Sequence, residues 1–405
     1  MPHIDFNQAC IFLQQIKQSV QRDIMGQEEV IDGLIIALIS GGHVLLEGNP
    51  GLGKTTLAKA FAKSLRLGSE GYGRIQFTPD LLPSDITGTY MPDLKSGGHE
   101  FSFQHGPIFH QILLADEINR ATPKTQAAML EAMAEKQVTV MGEPYELVTT
   151  KPFIWNGQNS SYETPFMVIG TQNPIDQEGT YDLPEAQADR FQQKLLMQAN
   201  DTETLMKIVE REAMGQKHIS ENKTEFFLDK MTSDEALFQV HNIRQLALFA
   251  DIPNIILRHA TYIVQATNGF IDEKEMRNLT SSNRRDLAEF VSTFIEAPLG
   301  PRTARDLILS TKIKALLLIG ADAAEEWQRE LPSALTAITA GVLRHRLKLN
   351  PDWPNIAKRE FPSLSGEQDP EAIRNAIISQ FLSLTAPIDQ NGSPDYANFF
   401  PRSRK

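Results

Sequence analysis

Residues 48–55 read Gly-Asn-Pro-Gly-Leu-Gly-Lys-Thr and satisfy the pattern G-x-x-x-x-G-K-[S/T] at every fixed position. What stands on either side turns this string into a constraint on the fold. The run His43-Val44-Leu45-Leu46-Glu47 reads as a short buried strand, and Thr56-Leu57-Ala58-Lys59-Ala60-Phe61-Ala62 reads as a helix. A strand, a Gly-rich loop and a helix in that order aim backbone N–H groups and the positive end of the helix dipole at one point. That makes a seat for an anion such as a phosphate group. In such a seat Lys54 reaches the outer phosphates and Thr55 holds Mg²⁺.

The rest of the chain reads as a soluble globular protein of several domains. Its 405 residues predict two or three domains, and the 41% hydrophobic and 22% charged fractions are ordinary for globular proteins. A net charge of −12 weighs against a bare phosphate backbone as partner. The single cysteine, Cys10, excludes an internal disulfide and fits a reducing compartment. The N-terminal residues lack a signal-peptide pattern, and the longest apolar run, Leu34–Ile39, is too short to span a bilayer. These features predict a cytoplasmic protein.

Periodicity predicts helices over about 6–21 and from about residue 28 to Ser40, then the phosphate-loop strand and helix. Strands are expected at Arg74–Phe77, Gln111–Ala115 and Phe166–Gly170, with a helix over Lys124–Lys136. Strands alternating with helices over about 170 residues indicate a parallel α/β sheet. Thr89–Met91 and Glu100–Phe103 flank Lys95–Gly98 and read as a hairpin. Val138–Val140 and Pro152–Ile154 are expected to form a second one, with a polar, exposed stretch at 155–161. After about Met197 strand signals fade, and helical periodicity dominates 201–348. From Asn350 the chain is rich in Pro, Asn, Ser and Gly, interrupted by a helix opened at Asp369-Pro370, with a loosely packed tail over 386–405.

Asp116-Glu117 closes an apolar strand downstream of the phosphate loop. An acid at a strand end beside bound phosphates can hold Mg²⁺, and the adjacent Glu can deprotonate an attacking water. Asn173 follows the next strand. It is read either as a contact to the outer phosphate or as a turn residue before Pro174. Arg190, in Ala188-Asp189-Arg190-Phe191, is read either as stabilising charge on a transferring phosphoryl group or as a helix-surface cation paired with Asp189 or Glu185. Arg302 follows Pro301 at a helix start, a poor dipole position for a cation unless it serves an anion; the other reading is a solvated Arg. The nine histidines form no metal-ligand pattern.

In this order the pieces resemble the AAA+ ATPases, and the strings resemble the MoxR group within the helix-2-insert clade. These strings are Met25–Val30, Gly42–Gly48, Gln76–Gly88, Leu114–Arg120, Thr171–Thr180, Leu183–Phe191 and Val342–Leu347. The resemblance covers roughly residues 20–350. It implies an AAA+ α/β core, a parallel sheet sandwiched by helices, over 1–199 with hairpin inserts at about 84–107 and 138–166. An all-α lid over 200–349 and a partly disordered C-terminal extension over 350–405 would follow. It implies ATP bound by Ile24, Met25 and Gly26 at the adenine and by Asn49, Pro50, Gly51, Leu52, Gly53, Lys54, Thr55 and Thr56 at the phosphates. Mg²⁺ would sit on Thr55 and Asp116. Glu117 would be the base, Asn173 sensor 1, Arg190 the finger into the next subunit's site and Arg302 sensor 2.

Members of that group form rings, often hexamers, and are thought to act as chaperone-like remodelling ATPases on proteins with von Willebrand factor A domains. Two departures stand out. Thr149–Thr164 is longer than usual for the group, and Gly300 replaces a Ser before Pro301-Arg302. Three rival readings are a magnesium-chelatase-like ATPase subunit, a nucleic-acid-acting motor and a nucleotide-gated scaffold. The acidic balance and the absence of a basic run in the hairpins weigh against the motor, and the complete catalytic set against the scaffold.

Overall fold

The computed structural model describes residues 4–92, 100–173, 180–181, 183–213, 226–271, 279 and 281–387. Two compact units divide between Leu246 and Ala247, well after the composition change near residue 200.

The first unit opens with helices α1 (Phe6–Gln21) and α2 (Glu28–Ser40). Asp5 caps α1, its Oδ1 accepting from the Gln8 N–H, while the Asp5 N–H donates to Gln8 Oε1. From Val30 to Ile39 every residue of α2 is buried, as its nearly all-apolar composition requires. Strand β1 (Val44–Glu47) leads to α3 (Lys54–Ser64), then β2 (Tyr72–Gln76), α4 (Pro83–Thr87), β3 (Gly88–Pro92) and β4 (Phe101–His105). Next come β5 (Ile112–Asp116), α5 (Pro123–Glu135), β6 (Gln137–Val140), β7 (Glu143–Glu146), β8 (Thr150–Trp155), β9 (Gln158–Glu163) and β10 (Met167–Gln172). The unit ends with α6 (Glu185–Ala188), β11 (Gln193–Leu196), α7 (Thr202–Ala213) and most of α8 (Ser233–Phe249).

Five strands form the expected parallel sheet, in the order β11-β1-β10-β5-β2. Val44–Leu46, Ile112–Ala115 and Met167–Ile169 are fully or almost fully buried, the apolar runs of strands covered on both faces. The edge strand β11 was not anticipated. Its four residues, Gln-Lys-Leu-Leu, carry no periodic signal and are placed by pairing with β1.

The hairpin β3–β4 forms as expected, with Tyr90 opposite Phe103; its tip, 93–99, lies outside the described residues. The second expected hairpin is corrected. Residues 138–140 do not pair with 152–154; β6 pairs with β7, and β8 pairs with β9. Each turn is a two-residue pair with both φ values positive, Met141-Gly142 (52° and 88°) and Asn156-Gly157 (50° and 76°). Asn-Gly is the strongest short hairpin signal, and it folds the polar stretch 158–161 back as a strand. The first two hairpins meet in an aromatic cluster: Phe103 and Tyr145 ring centroids are 4.3 Å apart, and the Tyr90 and Tyr145 hydroxyls 2.6 Å. The third hairpin packs on α8. Phe153 lies 4.9 Å from Phe238, and buried Tyr162 donates to Asp234 Oδ1 at 2.6 Å. Those contacts hold α8 as far as Leu246 with the sheet unit.

The second unit is helical among its described residues. It contains α9 (Asn254–Thr267), α10 (Ser281–Phe294), α11 (Pro301–Leu318), α12 (Leu331–Leu343), α13 (Trp353–Glu360) and α14 (Pro370–Thr385). Helix α14 starts where Asp369-Pro370 predicts, with Asp369 accepting from Glu371 N. It is no loose appendage. Ile373, Ile377, Ile378 and Phe381 are buried, Phe381 stacks on Phe290, and the His259 ring bonds the Leu382 carbonyl at 2.9 Å. The expected loose tail falls almost wholly in 388–405, outside the described residues.

Candidate active site

The phosphate loop leaves β1 at Glu47 and enters α3 at Lys54. Gly53, its N-cap, has φ 83°, and Gly51 has φ 89°, a left-handed backbone that side chains other than glycine's rarely adopt. Asn49, Pro50 and Gly51 form an exposed lip, Leu52 and Gly53 are partly covered, and Thr56 is exposed on the first turn. Lys54 is buried. Its Nζ donates to Gly48 O (2.6 Å), Asn173 Oδ1 (2.6 Å) and, at 3.4 Å, Gln172 O. Burial lowers its pKa, opposed by the negative charges of Asp116, Glu117 and Glu47.

Asp116 and Glu117 lie at the carboxyl end of β5, and Gln172 and Asn173 at that of neighbouring β10. One hydroxyl ties the two acids together: Thr171 Oγ1 donates to Asp116 Oδ1 at 2.7 Å and accepts the Glu117 N–H at 2.9 Å. Thr55 Oγ1 points to Asp116 Oδ2 across 3.4 Å. Arg74 Nη2 and Nε approach that same oxygen at 2.7 and 3.2 Å. Glu117 has left-handed backbone (φ 56°, ψ 50°), a strained placement for a non-glycine. Its Oε1 accepts from Asn173 Nδ2 at 3.2 Å, and its Oε2 accepts from Gln76 Nε2 at 2.8 Å and from Arg120 Nε at 3.0 Å.

Lys54, Thr55, Asp116, Glu117 and Asn173 are therefore brought together. The Asn173 amide bonds both Lys54 and Glu117. Ile24 and Met25 are half-buried before α2. At Gly26 (φ 73°) a Cβ would lie 2.4 Å from Asn200 Oδ1, and Gln27 Nε2 donates to Gln198 O at 2.8 Å. Arg190 is half-buried after α6, its N–H donating to Gln187 O. Arg302 is exposed in the first turn of α11, in the second unit. Sequence reasoning assigned no role to Thr171, Arg74, Gln76 or Arg120. The signal for Arg74 and Gln76 is strand parity, since they share one face of β2, but it needs the pairing of Gln76 with Asp116 to be known.

Thr55 Oγ1 and Asp116 Oδ2 are hard oxygen donors converging from two elements, and this set fits a Mg²⁺ ion. Among the described residues there is no cluster of three or more His, Cys, Asp or Glu side chains that would form a separate metal site. No helix there is long and apolar enough to cross a membrane.

The chain is similar to known proteins. Residues 43–193 match the family model described as "ATPase family associated with various cellular activities (AAA)". A candidate ATPase from Cytophaga hutchinsonii, solved by crystallography, superposes with a TM-score of 0.66 at 28% identity over 94% of this chain and 95% of its own. The class is thus AAA+, with its α/β core. Chaperone MoxR1 of Mycobacterium tuberculosis is 31% identical over 359 residues, 89% of this chain and 79% of the relative. The chain belongs to the MoxR family of AAA+ ATPases. YeaC of Bacillus subtilis, an uncharacterized protein, is 47% identical over 180 residues, a match spanning 44% of this chain and 50% of YeaC.

Proposed function

We propose that this chain binds and hydrolyses ATP with Mg²⁺, and that it uses the cycle as a chaperone-like remodeller of a protein partner. The observation that carries the reading is the meeting of Lys54, Thr55, Asp116, Glu117 and Asn173 on adjoining strand ends beside the phosphate loop. Lys54 leaves Gly48 O and Asn173 Oδ1 to neutralise phosphate charge. Thr55 and Asp116 hold the divalent ion, which when bound neutralises charge on the outer phosphates. Glu117 takes a proton from the attacking water, and the Asn173 amide orients that carboxylate. Arg190 serves the site of a neighbouring copy in a ring, a hexamer by the family habit, and Arg302 senses nucleotide from the helical lid. The partner is a protein with a von Willebrand factor A domain, and the compartment is the cytoplasm. The name of MoxR1, a chaperone, supports the remodelling role.

The test is Glu117→Gln, which keeps the size and hydrogen-bonding reach of the side chain but removes the base. ATP binding should persist while turnover falls by roughly a hundredfold or more. Full turnover in that variant would sink the assignment.

A further inference from the structure

Among the charged groups at this edge of the sheet, Arg74 has no part in the chemistry proposed above, yet it makes the closest contact to Asp116 Oδ2. Both Nη2 (2.7 Å) and Nε (3.2 Å) approach that single oxygen instead of dividing between the two. Oδ1 accepts from Thr171 Oγ1. Oδ2 is also the oxygen that Thr55 faces. A carboxylate oxygen offers about two lone-pair directions, so the Arg74 guanidinium and a cation bridging Thr55 and Asp116 claim the same acceptor.

Exposure shows which partner can yield. The Asp116 side chain is 10% exposed and anchored through Thr171, whereas that of Arg74 is 45% exposed. Arg74 has open solvent into which its head group can swing, whereas Asp116 is held by Thr171. The carboxylate also needs a positive partner. Asp116, Glu117 and Glu47 all act on Lys54, which itself donates to Gly48, Gln172 and Asn173 and not to an acid. A buried carboxylate left without a counter-charge is costly. Arg74 Nη2 also donates to Gln76 Oε1 at 2.9 Å, and Gln76 Nε2 donates to Glu117 Oε2, so the guanidinium is linked to the second acid through Gln76.

We infer that Arg74 is a built-in counter-cation. It holds Asp116 when no divalent ion is bound, and it competes with that ion for Asp116 Oδ2. Arg74 thereby sets the divalent-ion concentration at which the site fills. It is a positioning residue that does not touch substrate. This rests on reading Thr55 and Asp116 as the metal-holding pair.

Mn²⁺ is the probe, its free concentration followed by electron paramagnetic resonance as it is titrated into the full chain with ADP. Arg74→Gln should bind Mn²⁺ roughly three- to tenfold more tightly than the unmodified chain, a modest factor because the ion pair is partly solvent-screened. Arg74→Lys keeps the charge but loses the two-nitrogen grip and should fall between. Without metal and nucleotide, Arg74→Gln should melt at a lower temperature than the unmodified chain, and the gap should close with Mn²⁺ and ADP. Unchanged or weaker Mn²⁺ binding in Arg74→Gln, with normal binding by the unmodified chain, would overturn the inference alone. If the unmodified chain and Asp116→Asn bound Mn²⁺ equally, or neither bound it with ADP, the metal-pair reading would fall, and this inference with it.

Discussion

Lys54 Nζ donates to Asn173 Oδ1 across 2.6 Å, a hydrogen bond that joins the phosphate loop to the end of the adjacent strand β10. The other end of the same amide donates to Glu117 Oε1 at 3.2 Å. Asn173 is thus oriented by a cation on one side and an anion on the other. If Glu117 is the base, as proposed, this amide is the direct link between it and Lys54.

Asn173→Ala removes both bonds and leaves the loop intact. Turnover should fall by roughly a hundredfold or more, as when one preorganised polar contact is lost from an active site. ADP affinity should be nearly unchanged, because Lys54 and the loop amides remain. Equilibrium binding of a fluorescent ADP beside steady-state rates checks this. A large loss of binding with unchanged turnover would contradict it.

If Arg190 serves a neighbouring copy, the ATPase rate per protomer should rise steeply with protein concentration. Doping Arg190→Ala subunits into the unmodified chain should then cut activity more than in proportion to their share. A flat concentration dependence, untouched by doping, would mean that each chain works alone.

Tyr90 and Tyr145 couple two hairpins that are far apart in sequence. Tyr145→Phe keeps the ring against Phe103 and should lower the melting temperature slightly; Tyr145→Ala loses the ring as well and should lower it more. Adding Tyr90→Phe to Tyr145→Phe should change little further. Simple additivity in this double-mutant cycle would show that the hydroxyl pair contributes no coupling.

His43 is fully buried between the Met133 carbonyl, which its Nε2 faces at 3.2 Å, and the Val168 N–H, which donates to its Nδ1 at 3.0 Å. Burial pushes its pKa from 6.5 down to about 4. The folded state therefore resists a proton that the unfolded chain accepts. The neutral ring's stability contribution is complete above about pH 6.5 and is lost as pH falls from there towards 4. Between pH 7 and pH 5 this one group should cost about 2 kcal/mol of stability. His43→Gln can make both hydrogen bonds without titrating and should flatten that part of the profile. Urea midpoints at the two pH values measure it, and an equally steep loss in the variant would exclude His43 as the source.

Much of the core was legible because its signals are local. The loop at Gly48–Thr55 carries its own chemistry and needs a strand before it and a helix after it. The buried runs at Val44, Ile112 and Met167 follow from continuous apolar composition. Helix α14 was announced by Asp369-Pro370, since a cap and a proline act within one turn. The split of 137–163 into two hairpins was written in Asn156-Gly157, but longer-range pairing was expected over that turn signal.

The sequence by itself determined the Gly-rich loop between a strand and a helix, the acids at a strand end and the family, because each depends on residues adjacent in the chain. Only the tertiary structure decided which strands adjoin. The order β11-β1-β10-β5-β2 is set by crossovers and pairing that no local pattern encodes. That order places Arg74 and Gln76 of β2 and Thr171 of β10 on the two acids closing β5. The charge balance of the site is therefore a property of packing, in which residues up to about a hundred positions apart meet at buried Asp116 and half-buried Glu117.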